Sequence, residues 1–178
     1  AVDVHSIGAG GGSIAWLDAV GALHVGPQSA GADPGPACYL RGGTDPTVTD
    51  ANLFLGYLDE DNYLGGSVRI SRDAAAEALE RLVRQCSEPL SVEEIALGIV
   101  RIVNANMFNA IRRVSIERGY DPRDFDLMVF GGAGGVHAAA LLAESGISRA
   151  IVPVFPGNTS ALGMLAARPQ ADAARTMY

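Results

Sequence analysis

The sequence predicts an α/β fold: a mixed sheet with helices on both faces, plus a loop-rich and helical insertion at about 27–90. Three observations predict it. The first 25 residues alternate short extended runs with glycine turns. Two helical periodicities fill the middle, each opened by a serine cap signal. The last third alternates apolar strand runs with helix starts. A chain of 178 residues suits one domain with a sizeable core.

Taken in order, Val2, Val4 and Ser6 alternate with Asp3, His5 and Ile7, an extended pattern. Gly8, Ala9, Gly10, Gly11, Gly12 and Ser13 break it, and residues 14–17 and 22–25 give two more strands around a turn at 18–21. The stretch from Gly26 to Gly66 is rich in glycine and proline. It holds a short helix over 49–58, with Thr49 or Asp50 as its cap. A helix starting at Ser71 or Asp73 reaches about Cys86, with Leu79, Leu82, Val83 and Cys86 on one side. Ser91 and Glu94 form a capping box for a long helix to about Arg118, where Gly119 stops it. Its stripe comprises Ile95, Ile99, Ile102, Val103, Ala110, Ile111 and Val114. A strand at 126–130, a helix at 136–145, a strand at 149–154 and a helix from Asn158 or Thr159 to about 167 complete the chain. This element order is that of the ribonuclease-H-like half-domain, the unit paired in actin-like ATPases.

Composition excludes several functions. Thirteen basic against twenty acidic residues give a net charge of −7, so no broad surface attracts a nucleic acid. All thirteen basic residues are Arg, which removes P-loop and Schiff-base lysine chemistry. Two cysteines make no disulfide framework, and no apolar run approaches membrane-spanning length. No signal peptide is recognised, so a reducing cytoplasmic setting is expected. The chain opens on a strand-like segment without Met and reads as cut from something longer.

Two glycine turns carry the chemistry. In the first, residues 8–13, missing Cβ atoms let consecutive N–H groups converge on an anion. A tight hairpin with a bulge is the alternative, but five small residues exceed what a two-residue hairpin needs. The second, Gly131, Gly132, Ala133, Gly134 and Gly135, links a strand to a helix N-terminus, where unpaired amides and the helix dipole favour phosphate. Close helix–strand packing explains it equally well alone. Read jointly, the two turns form a nucleotide cleft.

Five separated blocks resemble the hydantoinase A/5-oxoprolinase family. They are residues 2–13, 29–39 (Ser-Ala-Gly-Ala-Asp-Pro-Gly-Pro-Ala-Cys-Tyr), 47–53 (Thr-Val-Thr-Asp-Ala-Asn-Leu), 129–138 and 156–163. The resemblance implies an ATP-dependent opener of cyclic amides; alternatively, it implies the ATP-binding subunit of an acetone- or acetophenone-type carboxylase, or a scaffold that keeps the ATP fold without catalysis. It also implies ATP and Mg²⁺ as cofactors, a small cyclic amide as substrate, and a hydantoinase B-type subunit as partner. An amino-terminal lobe of the same protein would complete the cleft, so the isolated chain is expected to be inactive. By likeness to actin-type ATPases, Gly10, Gly11, Gly12 and Ser13 take a phosphate-loop role, and Gly131–135 an adenosine-loop role, with the long helix at the hinge. Gly8 departs from that pattern, in which an acidic residue precedes the glycines. Asp3 or Asp50 would then have to supply the metal contact.

Asp3 and His5 share a strand face and could act as acid/base or, for Asp3, as metal ligand; a hairpin salt contact is the alternative. Asp50 and Asn52 either cap a helix or orient Mg²⁺ through water. Asp33 reads as a turn former. Asn106 braces the core or reaches the cleft, and His137 contacts base or ribose, or simply packs. His24 reads as structural. Cys38 lacks a basic partner and reads as a buried thiol. No zinc spacing and no serine-hydrolase elbow occurs.

Overall fold

The computed structural model describes residues 5–167. Strands β1 (Ser13–Leu17) and β2 (Leu23–Ser29) form an antiparallel hairpin whose register shifts between Ser13 and Ala15. Helices α1 (Val48–Phe54), α2 (Arg72–Val83) and α3 (Val92–Val114) follow. Strand β3 (Leu127–Met128), helix α4 (Gly134–Ser145), parallel strand β4 (Ala150–Ile151) and helix α5 (Thr159–Ala166) complete the order. The architecture is mixed α/β. Among the described residues the strands pair as two separate two-stranded sheets, not as the single sheet expected. The expected first strand falls partly on residues 1–4, outside the described residues, and residues 5–7 form no strand.

The helix starts follow from side-chain chemistry. Ser91 Oγ accepts from Glu94 N, and the Glu94 carboxylate accepts from Ser91 N, the expected capping box of α3. Ser71 rather than Asp73 caps α2. Thr47, not Thr49 or Asp50, caps α1, with Asp50 returning the bond from the third helical position. Helix α3 ends four residues earlier than expected. The Ser115 hydroxyl donates to the Ile111 carbonyl at 2.6 Å, and a 3-10 turn (Ile116–Arg118) leads to Gly119 at φ 83°. Strands β3 and β4 shrink to two residues each, flanked by an exposed Arg149–Asp126 pair at 2.9 Å.

One core cluster packs Ala15 and Val25 of the hairpin, Val48 and Ala51 of α1, Leu79 and Leu82 of α2, and Ile95, Ile99 and Val103 of α3. Burying each large aliphatic side chain stabilises the fold by about 1.5–3 kcal/mol. A second cluster joins Cys38, Leu53, Ile70 and Ala75. Together they clamp α1 between the hairpin and α2, so the α1 N-terminus lies against the first glycine turn. By contrast α5 buries none of its residues, and Leu162, Met164 and Leu165 are exposed. No described helix is long and apolar enough to cross a membrane.

Candidate functional site

The two glycine turns meet. A cavity of about 170 Å³ has Gly11 and Gly12 on one wall and Gly132, Ala133 and Val136 on another. A Cβ placed on Gly11 would lie 3.6 Å from the Ala133 Cβ, which measures how closely the turns approach. Tyr39, Thr49, Asn52 and Tyr63 supply the remaining polar surface.

Position 8 shows why the first turn departs from the acidic pattern. A Cβ on Gly8 would stand 2.6 Å from both Cα and Cβ of Pro27, so no side chain fits. The turn itself is closed by Ser13, which is 4% exposed. Its hydroxyl accepts from Gly10 N at 2.9 Å and donates to Gly8 O at 3.3 Å. The amide of Gly10 and the hydroxyl of Ser13 are thus engaged within the turn. The Gly11 carbonyl accepts from Thr49 N at 2.8 Å and from Thr49 Oγ1 at 2.9 Å, which ties the turn to α1. Among the described residues, the amides of Gly11 and Gly12 donate to no protein acceptor.

In the second turn Gly131, at φ 86°, donates to the Pro156 carbonyl at 2.8 Å. The amides of Gly132, Ala133, Gly134 and Gly135 have no protein acceptor among the described residues, the last two because they open α4. A Cβ on Gly132 or Gly135 would meet nothing within 4 Å, and neither has a left-handed φ. Packing therefore does not require glycine at either position. A side chain at Gly132, which lines the cavity, would occupy space a ligand needs. The bare backbone, unpaired amides and helix N-terminus fit a phosphate group.

Asp50 is fully buried. Its carboxylate accepts from Thr47 N (2.8 Å), Thr47 Oγ1 (2.7 Å), Cys38 N (2.7 Å) and Ala37 N (3.3 Å). All four donors belong to the fold, so the carboxylate braces the 37–38 segment against α1. Asp3 lies outside the described residues. His5 is exposed, accepts from Arg118 Nη2 at 2.8 Å and does not line the cavity. Among the described residues, no three His, Cys, Asp or Glu side chains stand together as metal ligands. The described residues thus hold no all-protein cation cage, and the one buried carboxylate beside the cavity, Asp50, has its oxygens engaged by the fold.

His137 is 1% exposed, with Nδ1 2.7 Å from Asn104 Oδ1 of α3. Burial pushes its pKa down, so the ring is neutral, Nδ1 carries the proton, and Nε2 is left without a partner. It packs behind the second turn rather than lining the cavity. Asn104, this histidine's partner, has no counterpart in the sequence reading; Asn106, which the sequence singled out, instead lines a separate groove with Trp16 and Arg113. His24 stacks on Trp16 and pairs with Asp18 at 2.8 Å, a hairpin contact. Asp33 sits exposed in its turn. Burial, helped by the neighbouring Asp50 carboxylate, pushes the Cys38 thiol far above its ordinary range, which removes it as a nucleophile. Tyr39 is likewise pushed up, chiefly by burial and then by the hydrogen bond to Tyr63, whose hydroxyl lies 2.9 Å away.

Comparison with known proteins supplies the context for this geometry. A family model described as hydantoinase/oxoprolinase matches residues 1–173. The chain is 52% identical over 166 residues to the caprolactamase subunit alpha of Pseudomonas jessenii, covering 92% of this chain and 23% of that subunit. It is 48% identical over 157 residues to the acetophenone carboxylase gamma subunit of Aromatoleum aromaticum, covering 84% and 21%. Among solved structures, nucleotide-free acetone carboxylase superposes with a TM-score of 0.81 at 33% identity, over 89% of this chain and 22% of that one. The ATP-dependent caprolactamase from Pseudomonas jessenii superposes with 0.79 at 53% identity, over 90% and 23%. The chain spans under a quarter of the length of each of these proteins.

Proposed function

The chain belongs to the hydantoinase/oxoprolinase family, and from that premise we propose that it is one lobe of an ATP-dependent enzyme that opens cyclic amides. The lobe, residues 1–178 with an insertion at about 27–90, is ribonuclease-H-like in this reading. A second lobe of the same protein and a hydantoinase B-type subunit complete the enzyme. The observation that carries the proposal is the single cavity walled by both glycine turns.

An amide is a poor electrophile because nitrogen lone-pair donation stabilises the carbonyl and the ring nitrogen leaves badly. ATP, when bound, supplies a phosphoryl group that turns the amide oxygen into a leaving group. The work of this chain is positioning and charge stabilisation. In this reading the amides of Gly11 and Gly12 face one side of the phosphates, and those of Gly132, Ala133, Gly134 and Gly135 the other, with the α4 dipole adding positive potential. Ser13 holds the first turn in shape from beneath. His137, neutral and tied to Asn104, supports the second turn. No step is assigned to a divalent cation, because Asp50 is committed to the fold.

Amide exchange in the complete enzyme tests this. Saturating ADP should slow exchange at residues 10–13 and 131–135, and unchanged exchange there would reject the reading. A second reading, an ATP-binding subunit of a ketone carboxylase, is favoured by the acetophenone carboxylase relative and the acetone carboxylase superposition. ATP turnover that requires bicarbonate would select it; turnover driven by a lactam without bicarbonate would select ring opening.

A further inference from the structure

We propose that the groove between α3 and the β1–β2 hairpin is a second binding site, which takes a small monocarboxylate with an apolar body. It is separate from the cavity between the glycine turns and depends on neither the ring-opening nor the carboxylase reading.

Asn106 shares one face of α3 with Asn109 and Arg113, at spacings of three and seven residues. The row runs about 10 Å along the helix axis. All three line a groove of about 390 Å³, within the range of about 300–1,000 Å³ usual for small-molecule sites. None of these side chains bonds to another described residue. Trp16, Val25 and Pro27 of the hairpin line the same groove. The indole is fixed in place: Trp16 Nε1 donates to the Gly26 carbonyl at 2.9 Å, and His24 stacks on the ring with centroids 4.7 Å apart. It nonetheless stays 38% exposed. A rigid aromatic surface in one groove with a guanidinium and two uncommitted carboxamides is a combination that recognition sites favour.

Charge decides the ligand class. Among the described residues no Asp or Glu lines the groove, so Arg113 makes it attract an anion although the chain's net charge is −7. The Asp18 carboxylate, 2.8 Å from His24 Nε2, is held by that ring and by the amides of Val20 and Ala22. A phosphate calls for more than the groove offers. It has one guanidinium and no helix N-terminus, and Arg113 lies in the last turn of α3, where the helix dipole is negative. A single negative charge suits those limits. A carboxylate pairs with a guanidinium through two parallel hydrogen bonds, and the carboxamides offer further donors. The rest of the ligand then lies on Trp16, Val25 and Pro27, which take an apolar body.

Calorimetry on the complete protein tests this with hexanoate, phenylacetate, their uncharged amides and inorganic phosphate. The better acid should bind saturably, and its amide at least about tenfold more weakly. Arg113→Gln should bind that acid at least about tenfold more weakly and no longer tell it from the amide. Its thermal midpoint should stay within about 1 °C, because the side chain is exposed. Should the variant fail to fold, the comparison of acid with amide on the unaltered protein decides alone. Amides that bind as tightly as the acids, or no saturable binding of either acid, would overturn the proposal. An acid preference that survives Arg113→Gln would also overturn it, by placing the anion elsewhere. Phosphate binding tighter than either acid would overturn the ligand class.

Discussion

Replacing Asp50 separates a structural carboxylate from a catalytic one. In Asp50→Ala, the amides of Ala37, Cys38 and Thr47 lose their acceptor, as does the Thr47 hydroxyl, all around a side chain with no exposed surface. Each buried amide left unpaired costs about 1–3 kcal/mol, and water entering the vacated space recovers part of it. We expect a local loss of about 4 kcal/mol, large against a typical whole-domain stability of about 5–15 kcal/mol. Amide exchange at Cys38 and Thr47 in the complete protein should then quicken by about a thousandfold, since each 1.4 kcal/mol is a factor of ten. Asp50→Asn keeps the shape but turns an amide N–H2 toward some of the same donors, so an intermediate loss of about 2 kcal/mol is expected. Unchanged exchange in both variants, with activity abolished and divalent-cation affinity reduced, would refute the reasoning and place Asp50 in the chemistry.

Gly132→Val should leave the unfolding midpoint nearly unchanged, because a Cβ there meets nothing within 4 Å, while calorimetry should show ADP binding at least about tenfold weaker. Gly8→Asp should fail to create a metal ligand and should lower the thermal midpoint, with a cost of about 1–3 kcal/mol from the 2.6 Å approach to Pro27; a gain in Mg²⁺ affinity would contradict this. His137 has a folded pKa below its ordinary value of about 6.5, so the unfolded chain takes the proton first. Stability should therefore be full above about pH 6.5 and fall as the pH drops below it, and His137→Gln should flatten that slope in unfolding measured from pH 7.5 to 5.5.

Local chemistry made much of the fold legible. Ser71 and Ser91 mark helix starts because a hydroxyl ahead of an apolar stripe has an unpaired amide to satisfy. Gly119 marks the stop because it adopts a left-handed φ. Thr47 was hidden by the better-looking candidates Thr49, which ties α1 to the first glycine turn, and Asp50, which completes the cap from the third helical position while also holding the 37–38 segment. The short strands β3 and β4 were overcalled because apolar runs such as residues 150–154 satisfy a strand pattern whether or not a neighbour pairs with them. At the site, the glycines were visible but their division of labour was not. The Gly10 amide is spent on the Ser13 hydroxyl, three residues along the chain and 2.9 Å away, while that of the adjacent Gly11 is not. Asn104 had no local signature, since its only marked feature is a histidine 33 residues later.

The bond from Thr49 to Gly11 has an effect on which ions the turn can attract. In a trans peptide the carbonyl and the following N–H point in opposite directions. Holding the Gly11 carbonyl toward α1 therefore keeps the Gly12 N–H turned away from that helix. If this one plane rotated by half a turn, oxygen would stand where hydrogen stood, and the surface would repel anions and welcome cations. A single threonine thus fixes which end of this one peptide the first turn can offer an ion.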